Sequence, residues 1–124
     1  MKKLFLVCLM MMLAGSAWAK WVMYDETETN TFYYDPATIR KDGNMRQVWA
    51  LLNWRKRDKD GVMSHRLRYE YDCKQERYRL LAITTHSEPM AGGEVLGMEG
   101  EDNKWRVIAP DTIANTILNL VCSK

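Results

Sequence analysis

The sequence predicts an α+β domain: an antiparallel sheet of about six strands, with a C-terminal helix packed on one face and tethered there by a disulfide. Three observations carry this. From Trp21 to Ile108, short runs of alternating apolar and polar residues are separated by turn residues, the period of half-buried strands. From Ile113 onward the period becomes helical, with Ile113, Ile117, Leu120 and Val121 on one face. Two cysteines, Cys73 and Cys122, stand one in the strand region and one at the end of that helix.

The first residues, MKKLFLVCLMMMLAGSAWA, read as a secretory signal: Lys2 and Lys3, an apolar run from Leu4 to Leu13, and a small-x-small site at Ala17-Trp18-Ala19. The run is shorter than the roughly 20 residues that span a bilayer, so no transmembrane segment is expected. Residues 1–19 are thus a signal peptide and 20–124 one exported domain, bound for the periplasm or the cell exterior. Cys8 leaves with the signal. The even pair that remains, in an oxidising compartment, argues for a Cys73–Cys122 disulfide.

Along the chain, Trp21 to Tyr24 and Thr31 to Tyr34 are short strands. Asp35-Pro36-Ala37-Thr38-Ile39 reads as a turn, because Pro36 fixes its own φ and starts the bend, and Asp42-Gly43-Asn44 as a second one. A long strand from Met45 to Arg57 pairs with Ser64 to Asp72 across a turn ending in Asp60-Gly61. Arg77 to Thr85 is the next strand. Ser87 to Asn103, polar and glycine-rich, reads as a loop with one short strand around Val95, and Trp105 to Ile108 as the last strand. Pro110-Asp111-Thr112 opens the helix, where Asp111 suits the positive end of the dipole.

Parity links the cysteines to the sheet. Successive strand residues face opposite ways, so Leu67, Tyr69, Tyr71 and Cys73 share one face and Arg66, Arg68, Glu70 and Asp72 the other. A bond from Cys73 to Cys122 puts the helix over the apolar one. The long strand is apolar on both sides, with Val48, Ala50, Leu52 and Trp54 opposed to Trp49 and Leu51, and in the following strand Leu80 and Ala82 oppose Leu81 and Ile83. One helix cannot cover two faces. A curled sheet or a second copy of the chain must shield the other.

Chemistry is scarce. A catalytic Cys73 would need a nearby base, and neither His65 nor His86 is close in sequence. Cys73, Cys122, His65 and His86 match no metal-ligand spacing, and a disulfide removes two of them. Ala91 to Gly97 lacks the spacing of a phosphate loop and has no helix behind it. No catalytic residue, metal or cofactor is expected.

Charge is more informative. Residues 20–124 are formally neutral, which gives no argument for nucleic acid, yet Arg40 to Arg79 holds 12 basic and 6 acidic residues. Arg55, Lys56, Arg57 and Lys59 form a basic hairpin tip, and Arg77 and Arg79 share a strand face. These six are the candidate binding residues for acidic partners such as sulfated glycans or acidic stretches of proteins. Solubility and the blocking of edge pairing are the alternative use of such charges.

Tyr34-Asp35-Pro36-Ala37-Thr38-Ile39 with Gly43, then Val48 to Asn53, Tyr71-Asp72-Cys73, Arg77 and Arg79, Pro89-Met90, Gly93-Glu94-Val95, Trp105, Pro110 and Cys122, in this order, resemble the surface-adhesin protein E family of Gram-negative bacteria. The resemblance spans essentially the whole exported domain. It implies a six-stranded sheet with a helix held by the cysteine pair, a homodimer, no catalysis, and adhesion to host matrix and serum proteins such as laminin, vitronectin and plasminogen. It transfers no binding motif residue by residue. The alternative role is a periplasmic envelope protein with a bacterial partner, structural or inhibitory.

Overall fold

The computed structural model describes residues 19–99 and 102–123, so the expected signal segment lies outside the described residues apart from Ala19. The elements are β1 (Val22–Glu26), β2 (Asn30–Tyr34), a 3-10 turn (Pro36–Thr38), β3 (Arg40–Asp42), β4 (Met45–Trp54), β5 (Ser64–Asp72), β6 (Arg77–Glu88), β7 (Gly92–Glu99), β8 (Arg106–Val107) and the helix α1 (Ile113–Cys122). The sheet is antiparallel in the order β1-β2-β4-β5-β6-β7, with β3 added to β4 and β8 to β6. The main path has the expected six strands.

The turn at Asp35 explains its own sequence. The Asp35 carboxylate accepts the Ala37 N–H at 3.0 Å, capping the 3-10 turn that Pro36 begins. Thr38 Oγ1 donates to the Asp35 carbonyl at 2.7 Å and accepts the Trp49 N–H at 3.0 Å, while the Asp35 N–H donates to the Trp49 carbonyl. The turn thus fills the gap along β4 where β2 ends and β3 has not begun. Buried backbone there stays paired.

The core lies between α1 and one face of the sheet. Val48, Ala50, Tyr34 and Tyr71 meet Ile117, Leu118 and Val121, with Tyr24, Tyr69 and Tyr78 packed around them. The cysteine parity holds: Cys73 and Cys122 form a disulfide with Cα atoms 5.7 Å apart, at the end of β5 and the last residue of α1.

Four boundaries differ most from the sequence expectation, and β3 was not expected. Strand β4 stops at Trp54 rather than Arg57, because the Trp54 N–H turns to the Met63 carbonyl and Arg55 bonds the β1–β2 loop. Strand β6 runs to Glu88, and β7 is a full eight-residue strand where a loop with one short strand around Val95 was expected. Gly93, beside the turn, has φ +70°, and a Cβ there would collide with Ser87 and Glu88. The helix begins at Ile113, not at Pro110. Thr112 Oγ1 accepts the Asn115 N–H and takes the cap, leaving Asp111 outside the first turn at φ +62°.

A bulge corrects the expected parity of β6. Arg68 pairs with Ala82 but Tyr69 with Leu80, so Leu81 is the extra residue. Leu80 and Ile83 therefore share the side of Tyr69 and Leu67, and Ala82 faces with Arg68. Further register shifts occur between β6 and β7 and between β1 and β2, and the sheet curls.

Candidate functional site

The face without the helix is assembled from alternate residues of β4, β5 and β6, and its ends are closed differently from its middle. At one end the β6–β7 turn folds back onto the sheet. The Met90 N–H donates to Asn53 Oδ1 at 2.9 Å, the Ala91 N–H to Ser64 Oγ at 3.0 Å, and Ser64 Oγ to the Glu88 carbonyl at 2.7 Å. Curling, the first of the two expected ways to shield this face, is what covers this end.

The other end is a ladder of ion pairs under an indole. Arg77 Nε lies 3.0 Å from Asp72, and Arg79 Nη2 lies 2.6 Å from Glu70. The Trp105 ring stacks on both guanidiniums, 4.4 Å from Arg77 and 4.6 Å from Arg79. The Asp72 carboxyl titrates below its usual range, chiefly because it accepts the Gln75 N–H, with Arg77 and the Lys74 N–H adding to this.

Between the two ends stands Trp49, with Arg66 4.3 Å over its ring and Arg68 at 5.8 Å. Arg68 donates to Gln47 Oε1, and Gln47 Nε2 donates to Glu70, so the amide is oriented by its neighbours. A cavity of about 340 Å³ opens beside them, lined in part by Thr38, Arg40, Gln47, Trp49 and Arg68.

The six expected binding residues fall into two groups at opposite ends of β4. Arg77 is level with the start of β4, through Asp72 and Met45, whereas Arg55, Lys56, Arg57 and Lys59 follow its end. Nine residue steps of strand separate these levels, on the order of 30 Å. At the tip, Arg55 pairs with Glu26 at 3.0 Å and Arg57 with Glu88 at 3.2 Å, and Arg57 also donates to the Ser87 carbonyl. Lys56 and Lys59 are exposed and make no ion pair among the described residues. A cavity of about 450 Å³ adjoins the tip, lined by Glu28, Thr29, Trp54, Arg55 and Lys56.

Charge runs alone did not single out Trp49, Arg66, Arg68 and Trp105. The signal that finds the first three is parity: they share a sheet face with Glu70 and Asp72 through cross-strand pairing. His65 and His86 lie near strand ends, bonded to Thr85 and Thr84, and burial pushes both below the usual histidine range. Among the described residues, no cluster of potential metal ligands and no helix long and apolar enough to cross a membrane occurs.

A curled antiparallel sheet, one disulfide-held helix and charged, aromatic-bearing outer surfaces define a small α+β domain. Two crystal structures of Haemophilus influenzae protein E share this fold. Crystal form II is 14% identical with a TM-score of 0.70, covering 87% of this chain and 91% of that one. Protein E from non-typeable Haemophilus influenzae is 15% identical with a TM-score of 0.63, covering 88% and 79%. Residues 21–123 match the surface-adhesin protein E family, and the chain belongs to it. No curated protein sequence matches it.

Proposed function

We propose that this chain is exported by cleavage after Ala19 and serves, in the periplasm or at the cell exterior, as a non-catalytic adhesin-like binding protein. Its partners are host matrix or serum proteins or acidic glycans, met by the tip Arg55, Lys56, Arg57 and Lys59. The observation that carries the reading is the tip itself. Lys56 and Lys59 are exposed and unpaired among the described residues, and Lys56 borders a cavity walled by Trp54. Arg77 and Arg79 form a second, weaker basic station, because Asp72 and Glu70 already neutralise them. Immobilised laminin and vitronectin test the proposal: saturable binding at physiological salt, abolished by Lys56→Glu with Lys59→Glu, is expected. Equal binding by the charge-reversed protein refutes it.

Two copies pair along β7. This edge strand leaves Val95 51%, Leu96 42% and Met98 78% exposed, a row of apolar side chains on an open edge. Sedimentation should show a dimer at micromolar concentration that Val95→Glu with Met98→Glu dissociates; a monomeric parent protein rules the pairing out. The Ala17-Trp18-Ala19 site also favours a second reading, a periplasmic protein with an envelope partner. Cell fractionation separates the two, since strictly periplasmic protein with no surface exposure supports the second.

A further inference from the structure

We infer that the helix-free face carries a second binding site, centred on Trp49 and built by Arg40, Arg66 and Arg68, for a sulfated saccharide. The argument begins with neutralisation. Arg55, Arg57, Arg77, Arg79 and Arg106 each meet a carboxylate at 3.2 Å or less. Arg40, Arg66 and Arg68 meet none among the described residues. The register places all three on one side of the sheet: Arg40 opposite Gln47, Arg68 opposite Trp49, Arg66 opposite Leu51.

The acids of this face do not cancel them. Glu70 is held by Arg79 and Gln47, and Asp72 by Arg77 and two turn amides. Asp42 is exposed on β3, on the same side as Arg40, and forms no ion pair with it. Three like charges are thus kept close together without counter-charges, which opposes folding unless a ligand supplies them.

The cations are also set in place. Stacking of Arg66 over Trp49 fixes its plane, and Gln47 holds Arg68. A stacked guanidinium keeps its N–H edge for oxyanions, which it binds in a bidentate manner. Arg40 and Arg68 lie on the two strands flanking β4, about 12 Å apart at the backbone, and Arg66 and Arg68 about 7 Å apart along β5. Such fixed spacing suits several sulfates on one stiff chain better than a single ion. The cavity of about 340 Å³ takes roughly a sugar ring or two. A peptide has no open backbone to pair with here, since Thr38 and Asp35 occupy the N–H and carbonyl of Trp49.

This site is separate from the basic tip, and its test reads a saccharide rather than adhesion. Titration of the exported protein with a heparin hexasaccharide, at about 0.15 M ionic strength, should give saturable binding. Desulfated hexasaccharide and hexaglutamate should bind at least about tenfold more weakly. Arg66→Gln with Arg68→Gln should weaken the sulfated ligand at least about tenfold, both in the parent protein and in one that already carries Lys56→Gln with Lys59→Gln. Arg66→Lys with Arg68→Lys keeps charge and fold and should fall between, because the guanidinium forks are lost. No saturable binding, equal affinity for the desulfated sugar or hexaglutamate, or full affinity in both Arg66/Arg68 variants overturns the site. So does a loss confined to the tip variant.

Discussion

The two sides of the sheet are cut from the same strands and held by opposite means. On the helix side β4 and β5 present Val48, Ala50, Tyr69 and Tyr71, sealed by Ile117 and Val121, which are at most 1% exposed. On the other side the intervening residues are Gln47, Trp49, Arg68 and Glu70. Burial pushes the hydroxyls of Tyr24, Tyr69 and Tyr71 above the usual tyrosine range, so these side chains stay uncharged at any ordinary pH. The opposite side keeps its charges and settles them locally, with carboxylates at one end and a folded-back turn at the other. The difference teaches where function can reside. The packed side is committed to stability, whereas the middle of the open side and the basic tip have charge to spare.

The largest effect should come from unfastening the packed side. The disulfide joins residues 49 apart in sequence. In the chain-entropy account, removing such a cross-link costs about 4 kcal/mol. Cys73→Ser with Cys122→Ser should lower the urea midpoint accordingly, with α1 the first element to lose hydrogen-exchange protection. A change below about 1 kcal/mol would mean the helix is held by packing alone. Ile117→Ala should follow at about 3 kcal/mol, since it opens a cavity in the sealed layer. An equal loss from Trp49→Ala would break the comparison, because it would make the open side a second core.

Much of this asymmetry was legible in the alternation of residues. Tyr69, Tyr71 and Cys73 on one parity and Arg66, Arg68, Glu70 and Asp72 on the other foretold which side the helix covers, and Cys122 foretold how it is held. What alternation cannot show is a bulge. Leu81 reverses the parity within β6, and nothing local in the sequence marks it. Strand β7 was hidden for a related reason: Gly92, Gly93 and Gly97 suggest a loop, while an edge strand exposed on both sides shows no apolar period. The candidate site was half legible. Basic residues are visible in a sequence, but which of them a carboxylate neutralises depends on register. Arg77 and Arg79 looked as available as Arg66 and Arg68 until Asp72 and Glu70 were placed opposite them.

The ion-pair end should show a smaller, pH-dependent effect. Glu70 is buried, with its side chain 10% exposed, and an amide in its place keeps one acceptor oxygen, so that either Arg79 or Gln47 faces an NH2 group instead. Glu70→Gln is expected to cost about 1–2 kcal/mol, between the values for surface and buried pairs. Asp72 gives the pH signature. Its folded pKa is depressed, chiefly by the Gln75 N–H, so its stabilisation is complete above the ordinary carboxylate range. That stabilisation is lost as pH falls through the folded value, below about pH 4. Denaturation curves of the parent protein and Asp72→Asn should therefore differ at pH 7 and converge in acid. Parallel curves would mean that the Asp72 carboxyl titrates alike in the folded and unfolded protein.

The smallest expected effect on stability is at the tip, and it sharpens the contrast most. Lys56 and Lys59 are exposed, and neither forms an ion pair among the described residues, so their replacement removes no native contact of consequence. Lys56→Gln with Lys59→Gln should shift the unfolding free energy by no more than about 0.5 kcal/mol. Arg55→Gln and Arg57→Gln provide the internal control. These side chains tie the tip to Glu26 and Glu88, so each should cost somewhat more, up to about 1 kcal/mol, and loosen the hairpin. If the lysines bind a partner, their loss must reduce binding without changing the denaturation curve, whereas loss of the arginines must change both. Equal destabilisation by all four would show that the tip serves the fold, as the core side does.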